Sequence, residues 1–161
     1  MRYYLLKISV FIFFMLPAHL SSADITLNEL FFDDCRVSSA NVLGEIGKGW
    51  TVANEWLTAG RVMVAANCVG QAQRAMEYSV EWCANRKQFG KAIGKNQGVS
   101  FKLADMATGI RAADLLTLNT AWRMDQDSMS DGDAGMAKLF ASEVLAKTTD
   151  DAVQIFGGMG L

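Results

Sequence analysis

Three stretches of this chain, each longer than twenty residues, carry apolar side chains at steps of three and four. Over residues 50–85 the line runs Val62, Ala65, Val69, Ala72, Met76, Val80 and Cys83, with Asn67, Gln71, Arg74, Glu81 and Asn85 on the opposite face. Over 96–124 it runs Val99, Leu103, Met106, Ile110, Ala113, Thr117 and Ala121, and over 133–156 Ala137, Ala141, Val144, Thr148, Ala152 and Ile155. Such stepping follows the 3.6-residue turn and puts one apolar stripe on each helix. The fold class that follows is all-α: an up-down bundle of three long helices, preceded by a short extended segment. Val69, Met76, Met106, Ile110, Val144 and Thr148 are expected among its interior positions.

Breakers fall where the helices must end. Gly44, Gly47 and Gly49 punctuate the entry to the first helix, and Gly90 and Gly94 mark a loop over 86–95. Residues 125–133 form a polar turn in which Ser130 or Asp131 can cap the third helix, and Gly157-Gly158 ends it. Gly60 and Gly70 each weaken the first helix by up to about 1 kcal/mol relative to Ala, which predicts close packing against a neighbour. Bundles of this kind usually close against a fourth helix. Three alone would leave the outer faces of the first and third partly apolar, so residues 43–161 read as an incomplete helical domain.

The beginning of the chain is of another kind. In residues 1–23, Arg2 and Lys7 precede a nearly unbroken apolar run, Pro17 and His19 interrupt it, and Ser21-Ser22-Ala23 supplies small residues. The run is shorter than the ~20 residues a bilayer needs. It reads either as a secretory signal peptide or as a spurious upstream segment placed in frame. Residues 24–42 read as extended chain and loop. Cys35, Cys68 and Cys83 have no C-x-x-C spacing and fit a reducing compartment better than export.

Composition excludes several chemistries. A net charge of -2 and a pI near 5.3 argue against a nucleic-acid surface. The single histidine, His19, lies outside the helices, which excludes bundle metal sites built on Glu-x-x-His and nucleophiles activated by histidine. No phosphate loop of the G-x-x-x-x-G-K type occurs. What remains is a basic knot of Arg86, Lys87 and Lys91 after the first helix. Cations there complement the helix dipole by about 0.3–1 kcal/mol. A guanidinium beside the flat face of Phe89 also suits a pyrophosphate.

The run Gly60-Arg61, Gly70-Gln71-Ala72, Arg86-Lys87-Gln88-Phe89-Gly90-Lys91, Asn96-Gln97, Leu103-Ala104-Asp105-Met106 and Gln154-Ile155-Phe156-Gly157-Gly158-Met159-Gly160 resembles the C-terminal helical domain of the acyl-CoA dehydrogenases. The resemblance covers residues 43–161, and Leu30-Phe31-Phe32-Asp33-Asp34-Cys35-Arg36-Val37 resembles the last strand of that family's middle β-domain. The R-x-x-F-G and Q-x-x-G-G-x-G elements are specific as a pair at this separation. Neither is specific alone.

The resemblance implies FAD as cofactor. It implies that Arg86 and Phe89 meet the adenosine-diphosphate half of an FAD bound mainly to a neighbouring subunit. It puts Gln97 near the cofactor and Gln154, Gly157 and Gly158 against its pyrophosphate. Arg61 matches a family arginine near the acyl-CoA site, and reads equally as a snorkelling helix arginine. Partners implied are an acyl-CoA and a second or complementary chain, without nucleic acid or a membrane span. The implied location, cytoplasm or mitochondrial matrix, conflicts with the signal-like residues 1–23.

No catalytic residue is assigned. In most of the family the base is a glutamate well beyond Q-x-x-G-G. A few members carry it directly before the arginine matching Arg61, where this chain has Gly60. Glu55 lies on the same helix about a turn and a half earlier. General-base catalysis needs a group within about 3 Å of the proton. The chain therefore reads as part of an FAD-dependent acyl-CoA dehydrogenase, catalysing α,β-dehydrogenation of acyl thioesters in the parent enzyme and inactive alone. The alternative is an exported or assembly-forming helical bundle that binds a partner through uncovered faces.

Overall fold

The three periodic segments fold as helices α1 (Gly49–Asn85), α2 (Gln97–Asp125) and α3 (Asp131–Phe156). The computed structural model describes residues 31–160 and the backbone of three short strands, β1 (Tyr3–Leu5), β2 (Ile12–Phe13) and β3 (Leu27–Asn28). The chain divides into two units, 1–52 and 53–161.

In the first unit β4 (Arg36–Ser38) pairs antiparallel with β1, Tyr3 opposite Ser38, and β2 pairs with β3, Ile12 opposite Asn28. A single 3-10 turn follows over Ser39–Asn41, its start capped by Ser38 Oγ, which accepts from the Ala40 N–H at 3.3 Å. The signal-peptide reading of residues 1–23, apart from the β1 and β2 backbone, and the start of the strand-like match at Leu30 lie outside the described residues.

The second unit is built on small side chains. Ala65, Cys68 and Val69 of α1 meet Ala113 of α2 and Ala137 and Ala141 of α3 in one cluster. Ala72, Cys83, Met106, Ile110, Ala152 and Ile155 form another. The largest fully buried side chains are Thr120, Thr148 and Ser79. Hydroxyls enter this seam because each closes on its own helix: Ser79 Oγ donates to the Ala75 carbonyl, Thr117 Oγ1 to Ala113 and Thr120 Oγ1 to Leu116, all at 2.7–2.8 Å. Among the described residues no buried side-chain polar atom lacks a partner.

The expected interior positions pack inward: Val69, Met106, Ile110 and Thr148 are buried, and Met76 and Val144 lie half-buried against the second cluster. Val80 does not. It is 44% exposed, and the buried line passes through Ser79 instead, whose hydroxyl hides from a pattern drawn on apolar residues. A second correction concerns Gly60 and Gly70. A Cβ at either would meet nothing within 4 Å, so neither packs closely within this chain. The close approach occurs at Gly109, where a Cβ would stand 3.5 Å from a Val144 methyl.

Large apolar side chains lie outside the seam. Met63 and Tyr78 on α1 and Met136, Leu139 and Phe140 on α3 are exposed, as expected of the outer faces. Phe101, Leu115, Leu118 and Trp122 on α2 are exposed as well, so the apolar outer surface extends to the second helix. Among the described residues no helix is long and apolar enough to cross a membrane. Cys35 is exposed and Cys68 and Cys83 buried, all unpaired, and burial pushes the Cys83 thiol upward.

Candidate functional site

The connection between α1 and α2 is more ordered than a loop. After α1 the strands β5 (Lys87–Gln88) and β6 (Lys91–Ala92) form a hairpin, Gln88 opposite Lys91. The Ile93 N–H donates to the Arg86 carbonyl at 2.9 Å and closes its base, and a 3-10 turn over Ile93–Lys95 leads into α2. Its two turn residues, Phe89 and Gly90, have φ of +52° and +76°. Positive φ at both is the geometry that matches strand twist in a two-residue hairpin. Gly90 adopts it at no steric cost. Phe89 is strained there, and its ring is 96% exposed.

Arg86 precedes this hairpin, its N–H donating to the Trp82 carbonyl at 2.8 Å and its guanidinium carbon 5.7 Å from the Trp82 ring centroid. The other face of the site comes from the end of α3. Phe156 stacks on Trp82 with centroids 5.1 Å apart and 19° between planes. The next residue, Gly157, has φ +62° and ψ -135°, a conformation that favours glycine, and a Cβ there would meet nothing within 4 Å. Gln154, Gly157 and Gly158 are exposed, as is Gln97 in the first turn of α2.

The fold thus brings the hairpin with Arg86 and Phe89, the start of α2 with Gln97, and the end of α3 with Gln154, Gly157 and Gly158 to one end of the second unit. Trp82 and Phe156 are the hinge pins of this arrangement, and the motifs alone did not single them out. Trp82 lies four residues before Arg86, and Phe156 fills an unspecified position of the Q-x-x-G-G-x-G element, one before Gly157. Among the described residues the ion pairs engage Arg74, Lys102, Arg111, Arg123 and Lys147, while Arg86, Lys87 and Lys91 enter none. The end therefore presents exposed cations, a bare aromatic face, two amides and glycine backbone.

Arg61 is not part of it. It lies 24 residues before the end of α1, about 36 Å along the axis. Its Nη1 donates to Thr58 Oγ1 at 3.4 Å. Thr58 in turn donates to Asp131 Oδ1 at 2.7 Å, and Asn54 Nδ2 to Asp131 Oδ2 at 2.9 Å. The bond from Thr58, then that from Asn54, holds the Asp131 carboxyl below its ordinary range. Asp151, also missed in the sequence, lies buried on α3 with both oxygens engaged, one by Lys102 of α2 and one by Lys147 at 2.7 Å.

Residues 47–161 match the model of the acyl-CoA dehydrogenase C-terminal domain. An acyl-CoA dehydrogenase of Bacillus subtilis is 45% identical over 132 residues, covering 82% of this chain and 35% of that protein. A 3-(aryl)acrylate reductase of Clostridium sporogenes is 41% identical over 133 residues, covering 83% of this chain and 35% of its own. The solved butyryl-CoA dehydrogenase of Megasphaera elsdenii superposes with a TM-score of 0.81 at 44% identity, covering 83% of this chain and 35% of that one. The chain spans about 35% of the length of the curated relatives it matches. Family match, identity and fold agree, and this chain belongs to the acyl-CoA dehydrogenases, in the part that corresponds to their C-terminal domain.

Proposed function

We propose that these residues supply the distal-side FAD contacts of an acyl-CoA dehydrogenase, reaching an FAD held mainly by a neighbouring subunit. The observation that carries the reading is the set of exposed groups at one end: Arg86, Phe89, Gln97, Gln154 and the Gly157–Gly158 pair. They fit the cofactor by chemistry. Arg86 offers charge-assisted donors to a phosphate, Phe89 offers a flat face, and Gly157 lets backbone approach without a Cβ in the way. FAD, when bound, accepts the hydride in α,β-dehydrogenation of an acyl-CoA. This chain's own residues bind and orient. Arg61 is proposed to face the acyl-CoA, and Gly60 beside it presents no side chain to take a proton.

Three consequences test this reading, and the last separates it from a non-catalytic helical module. The full chain alone should show no dehydrogenation of butyryl-CoA with a dye acceptor. Turnover that vanishes on Glu55→Gln would reveal a base in this chain. FAD alone should bind weakly: two charge-assisted hydrogen bonds give about 1.5–3 kcal/mol each, against an association cost of about 4 kcal/mol or more. That leaves at most about 2 kcal/mol net, which is a Kd weaker than about 1 mM. Retention should rise when a complementary chain provides the β-domain, and Arg86→Ala should lower it. Stoichiometric FAD co-purifying with this chain alone would overturn the division of labour. The proposed location is the cytoplasm or the mitochondrial matrix.

A further inference from the structure

The two helix ends that carry Gln97 and Gln154 have no covalent tie near the site. Helices α2 and α3 are joined at their far end by a five-residue turn, more than twenty residues from either glutamine. Between them the seam is made of small and flexible apolar side chains: Met106, Ile110, Val144 and Ala152, with Gly109 against Val144. Apolar contacts of this kind are non-directional and tolerate sliding. The Lys102–Asp151 pair does not. Lys102 lies five residues after Gln97, about 7.5 Å along α2, and Asp151 three residues before Gln154, about 4.5 Å along α3. The Asp151 side chain is 5% exposed and Lys102 only 38%, so the bond ties α2 to α3 at a largely buried point close to the site. Lys147 binds the other oxygen from within α3 and fixes nothing across the seam. Its part is to hold the carboxylate ionised and aimed at Lys102.

We propose that Lys102 and Asp151 are positioning residues which set the spacing of Gln97 against Gln154, Gly157 and Gly158, so that both helix ends address one FAD. This rests on the reading of those residues as cofactor contacts. A purely structural ion pair would raise stability without linking the two ends' response to ligand, and that difference is measurable.

The experiment is a titration with FAD of the full chain mixed with a chain that supplies the β-domain, followed by NMR at the side-chain amides of Gln97 and Gln154 and the backbone amides of Gly157 and Gly158. In the wild type all four should titrate on one curve. In Lys102→Met, which leaves Asp151 paired with Lys147, the Gln97 and Gln154 responses should separate into two curves or one should vanish. The apparent affinity at the surviving end should fall at least about tenfold, and Lys102→Arg should restore the common curve. Lys102→Gln serves as the second variant should the methionine variant fail to fold, with folding read by its melting curve. A common, unweakened curve in a folded Lys102→Met or Lys102→Gln, whatever the change in Tm, overturns the positioning role. Absence of any FAD response in the wild type overturns the cofactor reading itself, and this inference with it.

Discussion

The two ends of the α2–α3 pair use the same kinds of residue to opposite purposes. At the turn end Arg123, Ser130, Asp131 and Asp133 are all engaged within the chain. Ser130 Oγ accepts from the Asp133 N–H at 3.1 Å, the Asp133 carboxylate accepts from the Ser130 N–H at 2.8 Å, and Arg123 Nη1 donates to Asp133 at 2.7 Å. Asp131 is held by Thr58 and Asn54. At the hairpin end Arg86, Lys87 and Lys91 enter no ion pair among the described residues, and a phenyl ring stands in solvent on a strained backbone. A group paired within its own chain contributes to stability and has little left for a ligand. One left unpaired at the cost of strain is better explained by binding than by folding. Substitutions should therefore separate the ends: stability effects at the turn end and along the buried pair, ligand effects at the hairpin.

The largest stability loss should come from Asp151→Ala. Removing one partner of a fully buried pair costs about 3–5 kcal/mol, and the half-exposed lysines here reduce that to about 2–3 kcal/mol. Urea unfolding checks it, and a loss below about 0.5 kcal/mol would mean the pair adds nothing beyond repacking. The acid limb carries the same information. Burial raises the Asp151 carboxyl, and the bonds from Lys102 and Lys147 outweigh it and leave it below its ordinary value. Asp133 is lowered by Ser130 through its hydroxyl and its N–H, and Asp131 by Thr58 and Asn54. A carboxylate lowered in the folded state contributes stability above its unfolded pKa of about 3.9, and loses that contribution as pH falls through the folded value. Stability should thus be flat near neutrality and fall below about pH 4, and Asp151→Asn should flatten that fall.

The next effect in size belongs to the turn end. Ser130→Ala removes the acceptor from the capping box of α3 and should cost about 1 kcal/mol with no change in FAD response. Equal losses in stability and FAD affinity would erase the distinction between the ends.

Much of this was legible in the sequence because a stripe of apolar residues at helical spacing depends on nothing but the chain itself. The helix limits came within two residues, and the turn at 125–133 and the stop at Gly157 followed from capping chemistry. What could not be read are features that depend on a second element. The hairpin at 87–92 shows no alternating pattern, since two-residue strands have none to show, and its signal was the single Gly90 after a residue unsuited to positive φ. Asp151 looks solvated until α2 supplies Lys102. Gly60 and Gly70 were assigned a packing role, and the fold leaves their faces open. Of the candidate site, the gathering of the two motifs at one end required Trp82 and Phe156, an interaction between residues 74 positions apart.

Phe89 offers the smallest and most discriminating change. Its φ of +52° is adopted readily by Asn and Gly and poorly by an aromatic residue, and a fully solvated ring gains nothing from packing to offset that. Phe89→Asn keeps the hairpin turn and removes the strain, so it should raise stability by about 0.5 kcal/mol. Arg86→Ala, three residues earlier, should change stability by less than about 0.5 kcal/mol, because the one contact of its guanidinium is the loose approach to Trp82. Both should weaken FAD retention in the presence of a chain that supplies the β-domain. A stabilised variant that holds cofactor less well is the signature of strain kept for binding. If Phe89→Asn instead lowers stability, the ring is packing against something in the folded protein, and the contrast between an engaged turn end and an open hairpin end fails at its most exposed residue.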